Sequence, residues 1–283
     1  MIIIDANGIC HQAKHSMGNL SWKDKETGVI FGFLMQILSI SKTMDSNNFV
    51  FCWDSLSNNR KTLFPDYKKS RKRENKPEEE QRLDDIAYVQ FAELRKNIIP
   101  KLGFNNNFMI DGFEADDLIA KIVFTYKGLT DYISIISTDE DLRQLLDDTV
   151  YIYSTRKKQS YTKANLWSEY KITPDKWSEV KALAGCSSDG VPGISGVGEK
   201  TAAKYLTKTL NVTSKAFKSI QENEKLINFN RRLVKLPLEE TPEIKLVPDS
   251  LSFKNFQEIC DDFGLRSFQY PDRIKEWKEN IFY

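Results

Sequence analysis

Short apolar runs that stop at an acid are what most constrain this chain. Ile2-Ile3-Ile4 ends in Asp5, and Phe49-Val50-Phe51-Cys52-Trp53 ends in Asp54. Ile133-Ser134-Ile135-Ile136 leads through Ser137-Thr138 to Asp139 and Asp141. Near-continuous runs of this kind read as strands buried on both faces of a sheet. A fourth acidic stretch, Glu114-Ala115-Asp116-Asp117, opens an apolar helical segment. In an open α/β sheet, ligands bind outside the carboxyl ends of the strands, so acids far apart in sequence converge on one crevice. That many carboxylates cannot crowd together without cations between them, which points to a divalent-metal site.

The first part of the chain alternates strand and helix signals. After strand 2–4 come a helix over Val29–Lys42, a strand at 49–53, and a long charged helix from Glu78 to Leu102. A strand near Phe108–Ile110 precedes the acidic helix 114–125. Strand 133–136 then leads to a helix at 139–146 and a last strand at Val150–Tyr153. This order predicts an α/β fold with a mostly parallel central sheet and helices on both faces. From about Thr173 helical stretches dominate to the end, starting at Pro174-Asp175-Lys176-Trp177, where proline falls early in a first turn. The boundary is placed near residue 175: an α/β domain over 1–175, then a helical region over 176–283.

At 283 residues the chain can hold one large domain or two ordinary ones. No basic-then-apolar leader pattern opens it, and Ile30–Leu38 is too short to span a bilayer, so neither secretion nor a membrane is expected. Cys10, Cys52, Cys186 and Cys260 form no CxxC pair and read as reduced thiols. These features fit a cytoplasmic protein. His11 and His15 are four apart but have no third ligand nearby, so they read as surface histidines rather than a zinc pair.

The net charge of +1 hides an asymmetry. From Arg60 to Lys76 stand eight basic residues and two acidic ones, beside an acid-rich centre. Such separation suits a polyanion held at a metal cluster. Within this segment Phe64-Pro65-Asp66-Tyr67-Lys68-Lys69-Ser70-Arg71-Lys72-Arg73 mixes aromatics with positive charge. In a helix, Lys68, Arg71 and Lys72 share a face that can hold phosphates, and Tyr67 or Phe64 can stack on a base. A lone charge run is more often a solvated loop. Similarly, Glu114, Asp116 and Asp117 on their own could simply offset a helix dipole, and Asp139 with Asp141 could be an N-cap and a first-turn acid. An aspartyl phosphatase is disfavoured because Asp5 is followed by Ala6-Asn7 without a second acid.

Residues 188–201 are glycine-rich: Ser188-Asp189-Gly190-Val191-Pro192-Gly193-Ile194-Ser195-Gly196-Val197-Gly198-Glu199-Lys200-Thr201. No strand precedes them, so neither a P-loop nor a dinucleotide fingerprint applies. With a helix on each side, Gly193, Gly196 and Gly198 expose backbone N–H groups at the start of helix 199–208, an anion seat with Lys200 beside it.

Taken together, Ile4-Asp5-Ala6-Asn7-Gly8, Trp53-Asp54, Tyr67-Lys68-Lys69-Ser70-Arg71, Gly112-Phe113-Glu114-Ala115-Asp116-Asp117 and the run Ser137-Thr138-Asp139-Glu140-Asp141-Leu142-Arg143-Gln144-Leu145-Leu146 resemble the 5′-nuclease superfamily. The resemblance continues through Asp189–Ala202 and Arg231-Arg232-Leu233-Val234 and covers most of the chain. It extends to the 5′→3′ exonucleases and flap endonucleases of bacteriophages and to the nuclease domain of bacterial DNA polymerase I. Each motif alone is weak or moderate; their number and order make the match.

The resemblance implies a divalent-metal-dependent phosphodiesterase acting on branched or 5′-ended DNA (flap, nicked or pseudo-Y, and RNA–DNA hybrids). It implies two Mg²⁺ ions, replaceable by Mn²⁺. The first ion's group matches Asp5, Asp54, Glu114 and Asp116; the second matches Asp117, Asp139, Asp141 and Asp189. Residues of about 60–100 match a helical arch for the 5′ strand, with Lys68 and Arg71 as catalytic contacts to the scissile phosphate and Tyr67, Lys69 and Lys72 as DNA contacts. Residues of about 180–206 match a helix–three-turn–helix that grips the duplex, with a K⁺ site. A monomer in the cytoplasm of a bacterium or a phage-infected host, working in replication or repair, is implied. One departure stands out. Where the family commonly has a further aspartate, this chain has Cys186, a poor ligand for Mg²⁺, so the second ion is expected to bind more weakly. The alternatives are a structure-specific DNA-binding protein with little or no cleavage, and a PIN-type ribonuclease. The latter are shorter and lack the arch and the glycine corner.

Overall fold

The computed structural model describes residues 1–17, 20–69 and 76–283. Among these, six strands form one sheet in the order β5-β4-β1-β6-β7-β8, where β1 is Ile2–Asp5, β4 Phe49–Cys52, β5 Asn107–Phe108, β6 Ile133–Ile136, β7 Val150–Ser154 and β8 Gln159–Tyr161. All neighbours pair in parallel except β7 and β8. A small hairpin joins β2 (Ser21–Trp22) to β3 (Lys25–Glu26). The mostly parallel sheet predicted from the alternation of signals is therefore present. The edge strand β8 was not expected, because the polar triplet Gln-Ser-Tyr carries no apolar signal.

Helices α1 (Ala6–Met17), α2 (Gly28–Met44), α3 (Arg60–Leu63), α4 (Glu78–Glu93), α5 (Ile99–Leu102) and α6 (Ala115–Tyr126) belong to the first part of the chain. The expected helix 78–102 is continuous, but its residues Leu94–Ile98 form a π-helical turn. Helix α1 was missed by the sequence reading. Conversely, the helix expected at 139–146 is only a 3-10 turn over Asp141–Leu145. Helix α7 (Lys163–Tyr170) closes the first part, and the second part holds α8 (Trp177–Ala184), α9 (Glu199–Leu206), α10 (Lys215–Glu222), α11 (Glu224–Val234), α12 (Phe253–Asp262) and α13 (Pro271–Trp277).

Side chains alternate across a strand, and the core divides accordingly. Ile2, Ile4, Phe49 and Phe51 pack with α1, α2, α4 and α5. Ile3, Val50, Ile133 and Ile135 face α6 and, beyond it, α8 and α9. Helices α12 and α13 return to the first face. Trp277 is buried against Phe256 at a ring separation of 4.4 Å and Phe268 at 5.4 Å. His11 is not a plain surface residue: its ring meets Phe91 edge-on at 5.1 Å.

Register places the acids. Asp5 pairs with Cys52 across β1–β4, and Ile4 with Ile136 across β1–β6. Asp54 and Asp139 therefore lie just past the same edge of the sheet as Asp5.

Replacing Trp277 by Ala should destabilise the protein by about 3–5 kcal/mol, since it opens a cavity in a closed aromatic cluster. Urea unfolding of both proteins measures it.

Candidate metal centre and nucleic-acid interface

Three acids are aimed by backbone donors at the sheet edge. One carboxylate oxygen of Asp5 accepts from the Gly8 amide at 2.9 Å and the other from the Ser137 hydroxyl at 2.9 Å. Glycine at position 8 leaves room for this geometry, because a Cβ there would stand 2.6 Å from Asp5 Oδ2 and push the carboxylate aside. Asp54 accepts from the Ala115 amide at 2.9 Å, and its own amide donates to Asn7 Oδ1 at 3.1 Å. Asp139 accepts from the Asp141 amide at 2.8 Å. Asn7 and Ser137 thus serve the site without having been predicted.

These acids feel one another. Burial pushes the Asp5 carboxyl up to about 6, with the charges of Asp54 and Asp139 adding to the effect. Burial, then Asp139 and Asp5, hold Asp116 well above the usual carboxylate range. Asp141 is likewise raised to about 6 by burial and by Asp139, against the opposing Lys181 ammonium. Asp5, Asp54, Asp116 and Asp139 thus form one like-charged group. A divalent ion relieves such repulsion and finds the oxygen donors it prefers.

Glu114 and Asp117 have a different role. They are three apart on α6 and share a face, as expected. Glu114 is the N-cap of α6 and forms a capping box with Asp117. Arg60, itself buried, donates to Asp117 Oδ2 at 2.6 Å and Oδ1 at 2.7 Å, to Glu114 Oε2 at 3.3 Å and to the Leu233 carbonyl at 2.9 Å. Asp117 Oδ1 also accepts from the Leu238 amide at 2.8 Å. Asp117 was expected with the second ion's ligands; the structure instead commits both its oxygens to Arg60 and backbone amides. Glu114 was expected with the first ion's group and faces protein cations: burial opposes its ionisation, but Lys68 and Arg60 outweigh this and hold it below the usual range.

Tyr67 and Phe64 also depart from expectation as base-stacking rings. Tyr67 is buried, with its hydroxyl 2.9 Å from Glu114 Oε2 and 3.2 Å from Asp189 Oδ2. Phe64 packs edge-on against Phe229 at 5.7 Å. Lys68 stands in the left-handed region, at φ 55°, so it is in a turn and not on a regular helical face. Its ammonium pairs with Glu114 and lies 3.9 Å from Asp189 Oδ1, while its amide donates to the Asp189 carbonyl at 2.8 Å. Lys69 is exposed and pairs with Asp66 at 2.9 Å. Arg71 and Lys72 lie outside the described residues. Lys76, counted in the basic run, is held by Asp84 at 2.7 Å and Glu80 at 3.0 Å.

Beyond the acids, α8 and α9 flank the glycine corner. Gly193 is structural, because a Cβ there would stand 2.0 Å from the Ala184 carbonyl. Gly196 and Gly198 open onto space, and Lys200 is exposed beside them. Asn230 of α11 ties the corner down, donating to the carbonyls of Ala182 at 2.9 Å and Pro192 at 2.6 Å. A cavity of about 660 Å³ adjoins Asp139, with Thr138, Arg143, Lys157 and Asn165 in its wall. Lys181 was missed by sequence reasoning. It is buried and lies 3.0 Å from Asp141 and 3.2 Å from Glu199; its place in an apolar stretch of α8 was the available signal.

Replacing Arg60 by Met should cost about 3–5 kcal/mol in chemical denaturation, since Asp117 is then a buried charge without its partner. The double variant Arg60→Met/Asp117→Leu should recover part of the loss. Asp5 and Asp141 hold their protons more tightly folded than unfolded, so they favour the folded state at low pH and lose that effect as pH rises through about 6. In chelator, the melting temperature should fall across that range. At neutral pH, Asp5→Asn should stabilise the metal-free protein by roughly 2 kcal/mol and flatten the pH dependence.

Comparison with known proteins agrees with this architecture. Residues 1–171 match the family model described as 5′-3′ exonuclease, N-terminal resolvase-like domain, and residues 172–258 match its C-terminal SAM fold. A 5′-3′ exonuclease of Bacillus subtilis is 35% identical over 185 residues, covering 64% of this chain and 58% of that protein. One from Mycoplasmopsis pulmonis is 30% identical over 222 residues, covering 78% and 70%. Among solved structures, a bacteriophage T5 flap endonuclease in complex with DNA and metal ions superposes with a TM-score of 0.72 at 24% identity, covering 83% of this chain and 89% of that one. At that identity the likeness speaks for the fold. With both family models matched end to end in sequence order over residues 1–258, the chain belongs to the 5′-3′ exonuclease family.

Proposed function

We propose that this protein is a structure-specific 5′-nuclease, a metal-dependent 5′→3′ exonuclease and flap endonuclease that hydrolyses phosphodiester bonds near 5′ ends or single-strand–duplex junctions. The observation that carries the reading is the gathering of Asp5, Asp54, Asp116 and Asp139 past the carboxyl ends of β1, β4 and β6 and at the start of α6, with the Lys68 ammonium paired to Glu114 of the same turn. Divalent ions held there, Mg²⁺ or Mn²⁺, would supply Lewis-acid activation of water and neutralise charge on the leaving oxygen. The chain's own residues do the rest. Gly8, Ser137 and Ala115 fix the carboxylates, so little reorganisation is needed when a substrate arrives. Lys68 exchanges Glu114 for the scissile phosphate and steadies its developing charge, and Arg71 has the same role. Lys69 and Lys72 hold the 5′ strand by charge. Gly196, Gly198 and Lys200 offer amide and ammonium donors to the duplex backbone, and the same corner is the place for a K⁺ ion.

The reading extends to a monomer in the cytoplasm of a bacterium or an infected bacterial host, removing primers during replication or repair, with RNA–DNA hybrids among its substrates. Among the described residues no helix is long and apolar enough to cross a membrane. A protein that only binds DNA is not favoured, because the first group of acids retains its carboxylates.

Cleavage of a 5′-labelled flap, a nicked duplex and an RNA–DNA hybrid, with Mg²⁺, Mn²⁺ and an EDTA control, tests the reading. Lys68→Ala should lower the single-turnover rate on the order of 10²-fold or more, and Asp139→Asn should lower it further. Wild-type rates in either variant would overturn the assignment. Affinity for the flap should fall steeply with added salt, linearly on a log–log plot.

A further inference from the structure

The second cluster of donors contains a sulfur. Ligand atoms of Asp141, Cys186 and Asp189 all lie within 4.8 Å of one another. The thiol is fixed by its backbone, since the Cys186 amide donates to the Val191 carbonyl at 3.0 Å and the Val191 amide donates back at 2.9 Å. Its Sγ lies 3.1 Å from the Ser188 hydroxyl. Two ammonium groups already face the carboxylates. Lys181 Nζ is 3.0 Å from Asp141 Oδ1, without hydrogen-bond geometry, and Lys68 Nζ is 3.9 Å from Asp189 Oδ1.

This donor set does not fit Mg²⁺. That ion takes oxygen ligands in near-octahedral order and sheds water reluctantly. Here one donor is a thiol and the two carboxylates are partly neutralised. A borderline-soft ion takes thiolate together with carboxylate oxygen and tolerates a low coordination number.

We propose that the Asp141–Cys186–Asp189 cluster is a mixed thiolate–carboxylate site that selects a thiophilic divalent ion, of the Zn²⁺ or Co²⁺ class, over Mg²⁺. Cys186 Sγ is a ligand, and Lys181 is the cation that the ion displaces from Asp141. Binding exchanges the thiol proton, released to solvent, for the metal. The proposal rests on the metal-dependent reading above for the neighbouring acids, but its test does not depend on turnover.

Cys10, Cys52 and Cys260 are buried and Cys186 is half-buried, so alkylation of the folded protein, followed by peptide mass spectrometry, reports on Cys186. Cd²⁺ serves as the spectroscopic probe. Cd²⁺ and Zn²⁺ should slow Cys186 alkylation at concentrations far below those at which Mg²⁺ does, and Cd²⁺ should give a sulfur-to-metal charge-transfer absorption. Cys186→Ser should abolish that absorption and weaken Cd²⁺ binding at least about tenfold. Cys186→Asp should instead raise Mg²⁺ affinity. Equal protection by Mg²⁺ and Cd²⁺, or Cd²⁺ binding to the wild-type protein without the charge-transfer band, would overturn the proposal. Flap cleavage in Mg²⁺ on the same samples separates the two ideas. A missing band with intact cleavage defeats only this proposal, and an intact band without cleavage in any metal defeats only the nuclease reading.

Discussion

A buried ion pair between Arg60 and Asp117 fixes where everything else at the site can be. Arg60 starts α3, Asp117 lies in the first turn of α6, and the same guanidinium reaches the Leu233 carbonyl near the end of α11. Three segments from opposite ends of the chain meet in one planar group. An arginine suits this better than a lysine, because its fork satisfies both carboxylate oxygens at once and leaves a nitrogen for the carbonyl. With α3 anchored, the following turn has little choice of position. Tyr67 and Lys68 come down over Glu114, and Lys68 bonds through its backbone to Asp189. Arg60 and Lys68 are thus bound to the acidic centre by specific contacts rather than by a diffuse field.

The acids not held by this pair are a source of stress. Asp5, Asp116 and Asp141 sit where burial and like charges oppose ionisation. Lys181 offsets part of this at Asp141 and two hydrogen bonds do so at Asp5; a bound cation would relieve the rest. Backbone amides, a serine hydroxyl and the space left by Gly8 orient these groups, as expected where function rather than stability sets the geometry. Glu114 lies between the two regimes: it is satisfied by Lys68, Tyr67 and Arg60 and adjoins the unsatisfied acids.

The two families of donors differ in kind. Around Asp5 the donors are carboxylates, and around Asp189 they include Cys186 and lie beside Lys181. On the proposed reading, a hard ion and a borderline ion are told apart by the ligand atoms each meets, oxygen alone around Asp5 and oxygen with sulfur around Asp189.

Much of the fold was legible in the sequence. Ile2–Ile4, Phe49–Cys52 and Ile133–Ile136 read as buried strands because apolar runs of that length have few other stable uses, and the acids that follow them had to share one edge once the strands were parallel. What a linear reading could not decide was direction. Asp116 and Asp117 are adjacent, yet on a helix their side chains point roughly 100° apart; one joins the acidic group and the other meets Arg60. Tyr67 looked like a ring free to stack, but it is buried among Ala182, Val191, Leu233 and Val234, with its hydroxyl turned to Glu114 and Asp189. Helix α1 was hidden because its start, Ala6-Asn7-Gly8, is poor in helix formers and is stabilised by packing on α2 instead of by propensity. Sequence determined the sheet, its order of acids and the chemistry available, since these follow from residue type and period. Tertiary structure decided which carboxylates remain unsatisfied, because that depends on where Arg60, Lys68 and Lys181 reach, and long side chains are placed by packing between distant segments.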